Sequence, residues 1–330
     1  MKPIAITLGD PAGIGSEVIF RALEELDSDL PIRIFGDWKY ANRSPAPIPE
    51  RVTRFAEHAP IPADVRAAFV DVATSGSGDL EFGKIDAHYG RTSLAALEAA
   101  LAAVERGECR ALVTAPIHKQ AVLAAGSEHA GHTELLAARA KLGRYGRDYA
   151  MLFDSPRLRV ALLSVHVSLA RAIEMVTAEG VLDLAKLVDR EHERLFGKRP
   201  RMAVAGINPH AGEGGHFGKE DERITEGVEL AKKAGLTISG PYAPDTVFLR
   251  ASRGTHDVVL AAYHDQGLIA VKTLDFERSV NVTIGLPWLR CSVDHGTAFD
   301  IAGRGIADAE PMKFAIEWAA HHIETGEKEP

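Results

Sequence analysis

Cysteine is nearly missing from this sequence. Cys109 and Cys291 are the only two, too few for a disulfide framework and without the C-x-x-C spacing of a zinc or redox motif. That suits a reducing compartment, and a cytoplasmic protein is expected. Long apolar runs are absent too: none approaches the roughly 20 residues that span a bilayer. The opening "MKPIAITLGD" has no apolar h-region or cleavage site, so neither membrane insertion nor export is expected. Basic charge is in deficit. The formal net charge is −8, the opposite of a nucleic-acid footprint, so an anionic ligand must be met by cations placed locally. Neither a Walker A loop nor a GxGxxG turn occurs.

What remains is an ordinary globular composition, 46% hydrophobic and 25% charged over 330 residues. That is enough for two domains or one large α/β domain. Short β-branched runs alternate with longer helical patterns, which predicts a parallel α/β fold. "KPIAITLGD" reads as a strand and "SEVIFRALEEL" as the helix after it. "RTSLAALEAALAAVERGE" sets Leu94, Leu97, Leu101 and Val104 on one helical face and stops at Gly107. "CRALVTAP", "LRVALLSVH", "RMAVAGI" and "HDVVLAAYH" read as buried strands. Thr177 and Gly197 bracket a helix as cap and stop. Two more helices are expected at "KEDERITEGVELAKKAG" and "EPMKFAIEWAAHHIETG", and residues 42 to about 62 read as an irregular connection.

Three histidines stand where strand-like runs end: His166, His210 and His264. In open α/β sheets ligands bind beyond the carboxyl ends of the strands. Three neutral imidazoles would make a first shell for a divalent metal with one position left open, as a catalytic site needs. The bland alternative is a set of core histidines bonded to backbone. His210 lies in "NPHAGEGGHFG", whose glycines make it costly to order without an external tether. His216, just ahead of a helix, reads as a loop or capping residue.

Other stretches offer weaker signals. "GDPAGIGSE", Gly9 to Glu17, is a glycine turn into a helix, suited to close backbone approach and to anions. "HAGHTELL" places His132 and Thr133 ahead of a helix, where Thr133 could simply be a cap, and "TAPIHK" places His118 and Lys119 past a strand. Lys272, Asn281 and Arg290 lie among apolar and glycine residues, which suits the cations to phosphate or carboxylate binding. Cys291 reads as packing.

"DHGTAFDIAGRGIADAE", Asp294 to Glu310, is similar to the adenosine-binding stretch of the isocitrate and isopropylmalate dehydrogenases. Their opening glycine turn resembles "LGDPAGIGSE". This resemblance implies two α/β domains flanking a cleft, and a nicotinamide site that is not Rossmann. Asp10, Gly13, Gly15, His295, Gly296, Thr297 and Asp300 would then hold the cofactor. The implied first domain is 1–130 together with 275–330, with both termini and the cofactor loop. The second is 131–274, with the metal ligands and a dimer interface.

The histidines do not belong to those enzymes. "GDPAGIGSE", "TAPIHK", "GHTELL", "NPHAGEGGHFG", "YHDQGL" and "NVTIGLPWLRCSVDHGTAFDIAGRG" in this order resemble the 4-hydroxythreonine-4-phosphate dehydrogenase family of pyridoxal phosphate biosynthesis, over essentially the whole chain. The resemblance implies a divalent ion (Zn²⁺, Mg²⁺ or Co²⁺) on His166, His210 and His264 at a homodimer interface, with ligands from both subunits. It implies substrate contacts from His132, Thr133, Lys272, Asn281 and Arg290, and NAD or NADP as oxidant. Lys272, Asp245 and Asp265 are candidates for the base. The sequence departs from that pattern at Ser16, where a proline is common, and at Glu277 and Ser279 near Asn281. A sister group with the same histidines oxidises D-threonate or D-erythronate 4-phosphate. A metal hydrolase and a non-catalytic binding module are the more distant alternatives.

Overall fold

The computed structural model describes residues 1–75 and 79–326. Its elements in chain order begin β1 (Ile4–Thr7), α1 (Gly15–Glu25), β2 (Ile32–Gly36), α2 (Trp38–Ala41), β3 (Val52–Ala56), β4 (Ala67–Asp71), α3 (Ala87–Glu105), β5 (Ala111–Thr114), α4 (Lys119–Ala124) and α5 (His132–Arg139). They continue with β6 (Ala150–Asp154), β7 (Arg159–Leu162), α6 (Leu169–Met175), α7 (Ala178–Phe196), β8 (Met202–Ala205), α8 (Glu220–Lys233), β9 (Ile238–Tyr242), α9 (Pro244–Ser252), β10 (Val258–Ala261) and α10 (His264–Asp275). β11 (Val280–Ile284), β12 (Leu289–Val293) and α11 (Glu310–Gly326) close the chain.

These elements form two compact units, one of Met1–Arg139 with Pro287–Glu324 and one containing Ala140–Leu286. The joints therefore fall later than residues 130 and 274. Helix α5 goes with the first unit. β11 goes with the second, because it pairs antiparallel with β6 along its length.

In the first unit the strands run β3-β4-β2-β1-β5-β12, and every pairing is parallel. "IAIT" and "ALVT" are buried throughout, as strands covered on both faces must be. The expected irregular connection at 42–62 instead contains β3. Its sequence, VTRFA, buries only Val52 fully, and that polarity, natural for an edge strand, hid it. Helix α3 also starts earlier than its apolar face implied. Asp86 caps it by accepting from His88 N at 2.8 Å. Leu97, Leu101 and Val104 are buried, while Leu94 is only half-buried.

In the second unit the order is β11-β6-β7-β10-β8-β9. β7, β10, β8 and β9 are parallel, but β11, β6 and β7 are joined antiparallel, which the expected parallel arrangement does not include. β6 reaches β7 through four residues containing Ser-Pro, a connection short enough only for a hairpin. Helix α7 behaves as its caps predict: Thr177 accepts from Gly180 N at 3.0 Å and Gly197 takes φ 70°. Among the described residues no helix is long and apolar enough to cross a membrane.

Candidate active site

The carboxyl ends of β7, β10 and β8, adjacent and parallel, carry the three histidines. His166 lies four residues past β7, His264 opens α10 three residues past β10, and His210 lies five past β8. Backbone and side-chain bonds brace this edge. Ser164 Oγ donates to Ala262 O at 2.9 Å. Gln266 accepts from Ala262 N and donates to Gly206 O, both at 2.7 Å. Gln266 thereby ties the strand end that leads to His264 to the one that leads to His210.

The rings of His166 and His264 lie 5.7 Å apart, centroid to centroid, in a pocket of about 210 Å³ that also takes in Ser164, Leu169 and Tyr263. His264 Nδ1 is 2.7 Å from an Asp265 carboxylate oxygen. With Nδ1 donating there, the neutral ring keeps its lone pair on Nε2, the arrangement that orients an imidazole for a metal. His166 has φ 49°, a left-handed conformation that a side chain adopts at a cost of roughly 1–3 kcal/mol. Such strain concentrates at functional sites. His210 does not line this pocket; its ring lies 6.2 Å from that of Phe217. Among the described residues no three His, Cys, Asp or Glu side chains are grouped to hold a metal. One chain thus brings together two of the three histidines.

The His210 loop is held by a residue the sequence reading passed over. Asp221, buried in the first turn of α8, accepts from Ile207 N at 2.7 Å, Asn208 N at 3.2 Å and Asn208 Nδ2 at 2.9 Å. A Cβ on Gly206 would stand 2.8 Å from the same carboxylate, so that glycine makes room for the brace. The loop then turns through His210, Ala211, Gly212, Glu213 and Gly214, all at positive φ. Its glycines are spent on a left-handed turn. The only hint in sequence was an acidic pair, Glu220 and Asp221, at the start of a helix, which is commonplace.

In the first unit the two glycine motifs meet. Ile14 N donates to Thr297 O at 3.1 Å, and a Cβ on Gly13 would lie 3.0 Å from that oxygen. A Cβ on Gly15 would collide with the Leu8 carbonyl. Further along, Ala307 N donates to Glu17 Oε1 at 2.8 Å, and Arg21 donates to the carbonyls of Gly305 and Ala307. Phe299 stacks on His118 at 4.7 Å. Gly296 and Asp300 are exposed, His295 half-buried. Asp10 is buried and accepts from Ala12 N at 2.9 Å. Burial pushes its carboxyl up to about 6, against the lowering effect of hydrogen bonds from Ala12 and His118 backbone, with Asp86 adding to the rise. Among the described residues the Oδ2 atom has no hydrogen-bond partner, as suits a group that resists ionisation.

His132 and Thr133 open α5, Thr133 fully buried. Nearby on β12, Arg290 is 2% exposed and donates to Thr114 Oγ1 at 2.7 Å. Burial lowers its guanidinium to about 10, so it stays cationic at neutral pH. Burial, and then the Arg290 charge, hold the His132 imidazole well below the usual histidine range. His132 Nε2 is buried with no hydrogen-bond partner among the described residues. A neutral imidazole beside a buried cation is a receptor for an oxyanion or hydroxyl. Cys291 is packing, as expected: it is wholly buried, its Sγ is 3.4 Å from Ala315 O, and burial pushes the thiol up to about 12.

The remaining candidates lie in the second unit. Lys272 is half-buried on α10, its Nζ 5.7 Å from the Phe276 ring centre. Asn281 is half-buried on β11 opposite Phe153. Asp245 is exposed in the first turn of α9, and Asp265 is exposed beside His264.

Two mostly parallel α/β units, one clasping two glycine segments and the other carrying histidines on its strand edge, define a small-molecule-binding α/β protein. The model of the pyridoxal phosphate biosynthetic protein PdxA family matches residues 19–319, and the chain belongs to that family. It is 39% identical to D-threonate 4-phosphate dehydrogenase of Salmonella typhimurium over 326 residues, covering 96% of this chain and 98% of the relative. It is also 39% identical to 4-hydroxythreonine-4-phosphate dehydrogenase of Beijerinckia indica over 325 residues, covering 96% and 94%. The crystal structure of 4-hydroxythreonine-4-phosphate dehydrogenase from Klebsiella pneumoniae matches with a TM-score of 0.84 at 36% identity, covering 98% of this chain and 100% of that one.

Proposed function

We propose that this chain is a divalent-metal-dependent dehydrogenase that oxidises 4-phosphohydroxy-L-threonine with NAD or NADP in pyridoxal 5′-phosphate biosynthesis, working as a homodimer. The observation that carries the reading is the His166–His264 pair beyond adjacent parallel strands, with Asp265 setting the His264 tautomer. These two residues suit a cation's first shell, and His210 of the second protomer is the proposed third donor. Val167, Leu169, Ile269 and Phe276, all large and exposed, lie on or beside the segments that bear the pair and suit a protomer contact.

When bound, the cation would polarise the substrate's secondary hydroxyl and later its ketone, and the nicotinamide would accept the hydride. Asp265 keeps the Nε2 lone pair of His264 available. One of Lys272, Asp245 or Asp265 takes the hydroxyl proton. The 2-amino-3-oxo-4-(phosphooxy)butanoate so formed is a β-keto acid. It loses CO₂ because the carbanion left behind delocalises onto the ketone, giving 3-amino-2-oxopropyl phosphate. Lys272, Asn281, Arg290, His132 and Thr133 are the proposed contacts for substrate phosphate and carboxylate. The clasped segments that include Asp10, Gly13, Gly15, His295, Gly296, Thr297 and Asp300 are proposed to hold the nicotinamide dinucleotide.

A second reading, D-threonate or D-erythronate 4-phosphate as substrate, is favoured by the Salmonella typhimurium relative, at the same 39% identity. NADH or NADPH formation is to be followed with 4-phosphohydroxy-L-threonine and with the two sugar-acid phosphates, each with Zn²⁺, Mg²⁺ or Co²⁺. Turnover of the first supports the main reading. Selective turnover of a sugar acid moves the chain to the second. No reduced nicotinamide with any of them, together with metal-dependent ester hydrolysis, rejects the dehydrogenase.

A further inference from the structure

A second cavity, about 650 Å³, lies in the first unit, and none of its lining residues is among the candidate metal, substrate or cofactor residues above. Its size falls within the range of small-molecule sites. One wall is a sheet face: Arg33 and Phe35 alternate on β2, and Val70 follows on β4. The other is a face of α3 made of Ala99, Ala102 and Ala103, spaced three and four apart. The alanines create the hollow. Small side chains on this face of the helix leave room beside the sheet.

The polar equipment is unequal. Arg106 at the rim is already satisfied, with Nε and Nη2 on the two Glu108 oxygens at 2.6 and 3.0 Å. Arg33 is not. Its Nη1 is anchored to the carbonyls of Ile32 at 3.0 Å and Val65 at 3.1 Å. Among the described residues Nε and Nη2 make no hydrogen bond, and no carboxylate lies within ion-pair reach. That leaves the planar two-donor edge that a carboxylate engages side-on. The anchored Nη1 fixes the edge in place, so little rotamer entropy remains to be lost on binding. Glu57 and Glu108 at the rim disfavour a polyanion.

We infer that this cavity is a binding site for a small monoanionic carboxylate with an apolar or aromatic body, its carboxylate on the Nε–Nη2 edge of Arg33 and its body between Phe35 and the α3 alanines.

The test is titration calorimetry of the full chain with benzoate, and with benzamide as the neutral analogue of the same shape. Benzoate should bind saturably, and benzamide at least about tenfold more weakly, since a charge-assisted pair is lost. Arg33→Met should weaken benzoate at least about tenfold, and Ala102→Phe should abolish binding by filling the hollow. Melting curves establish that each variant is folded; if Arg33→Met is not, Ala102→Phe decides. No saturable binding of benzoate, equal binding of benzamide, or folded variants that bind like the parent would overturn the inference.

Discussion

At the residue scale, two buried carboxylates, one in each unit, play opposite roles. Asp221 is a brace. Replacing it with Ala strands the part-buried donors of Ile207 and Asn208 and should cost roughly 1–3 kcal/mol in urea unfolding. Asp221→Glu should recover part of that. Metal affinity, read by calorimetry, should fall in parallel if His210 is a ligand. Asp10 is the reverse case, a carboxylate the fold would rather keep protonated. Its folded value of about 6 lies above the ordinary 3.8. The proton it holds stabilises the fold fully below about pH 4, and that contribution is lost as pH rises through about 6. The loss amounts to about 3 kcal/mol. Asp10→Asn should therefore be more stable than the parent at pH 7.5, with the advantage shrinking towards pH 4.5. An unchanged difference between the two pH values would contradict the assignment.

At the scale of elements, glycines separate architecture from ligand binding. Gly15 lies against the Leu8 carbonyl with no room for a Cβ, so Gly15→Ala should destabilise the β1–α1 turn by more than 2 kcal/mol or so, as overpacked sites do. Gly296 is exposed, with nothing within 4 Å of an added Cβ. Gly296→Ala should leave the melting temperature unchanged, and any loss of nicotinamide affinity in that variant would then report ligand contact. Helix α7 offers the calibration: Thr177→Ala removes a bond to Gly180 N and should cost about 1 kcal/mol.

At the scale of the whole molecule, the pairing of histidines within one chain sets the outcome of subunit mixing. His166 and His264 share a pocket and His210 does not. If the partner supplies His210, equal mixtures of His210→Ala and His264→Ala protomers should regain about a quarter of parental activity, from one intact site in each heterodimer. Mixtures of His166→Ala with His264→Ala should regain none. Restoration in the second mixture but not the first would place the ligand division elsewhere.

Much of this was legible along the chain because its causes are local. Strand and helix identity followed from side-chain period. Thr177 and Gly197 bounded their helix through their own backbone preferences, and the glycine motifs and strand-end histidines pointed to a site before any fold was known. What only the tertiary structure decided depends on partners distant in sequence. The edge strand β3 exists because β4 pairs with it. β11 joins the second unit because β6 does. Asp221 and Gln266 act on backbone groups 13 to 60 residues away, and Arg33 shares a cavity with alanines of α3 that lie more than 60 residues on. Such contacts leave no period in the sequence, since nothing about a lone Asp, Gln or Arg tells which distant backbone it will meet.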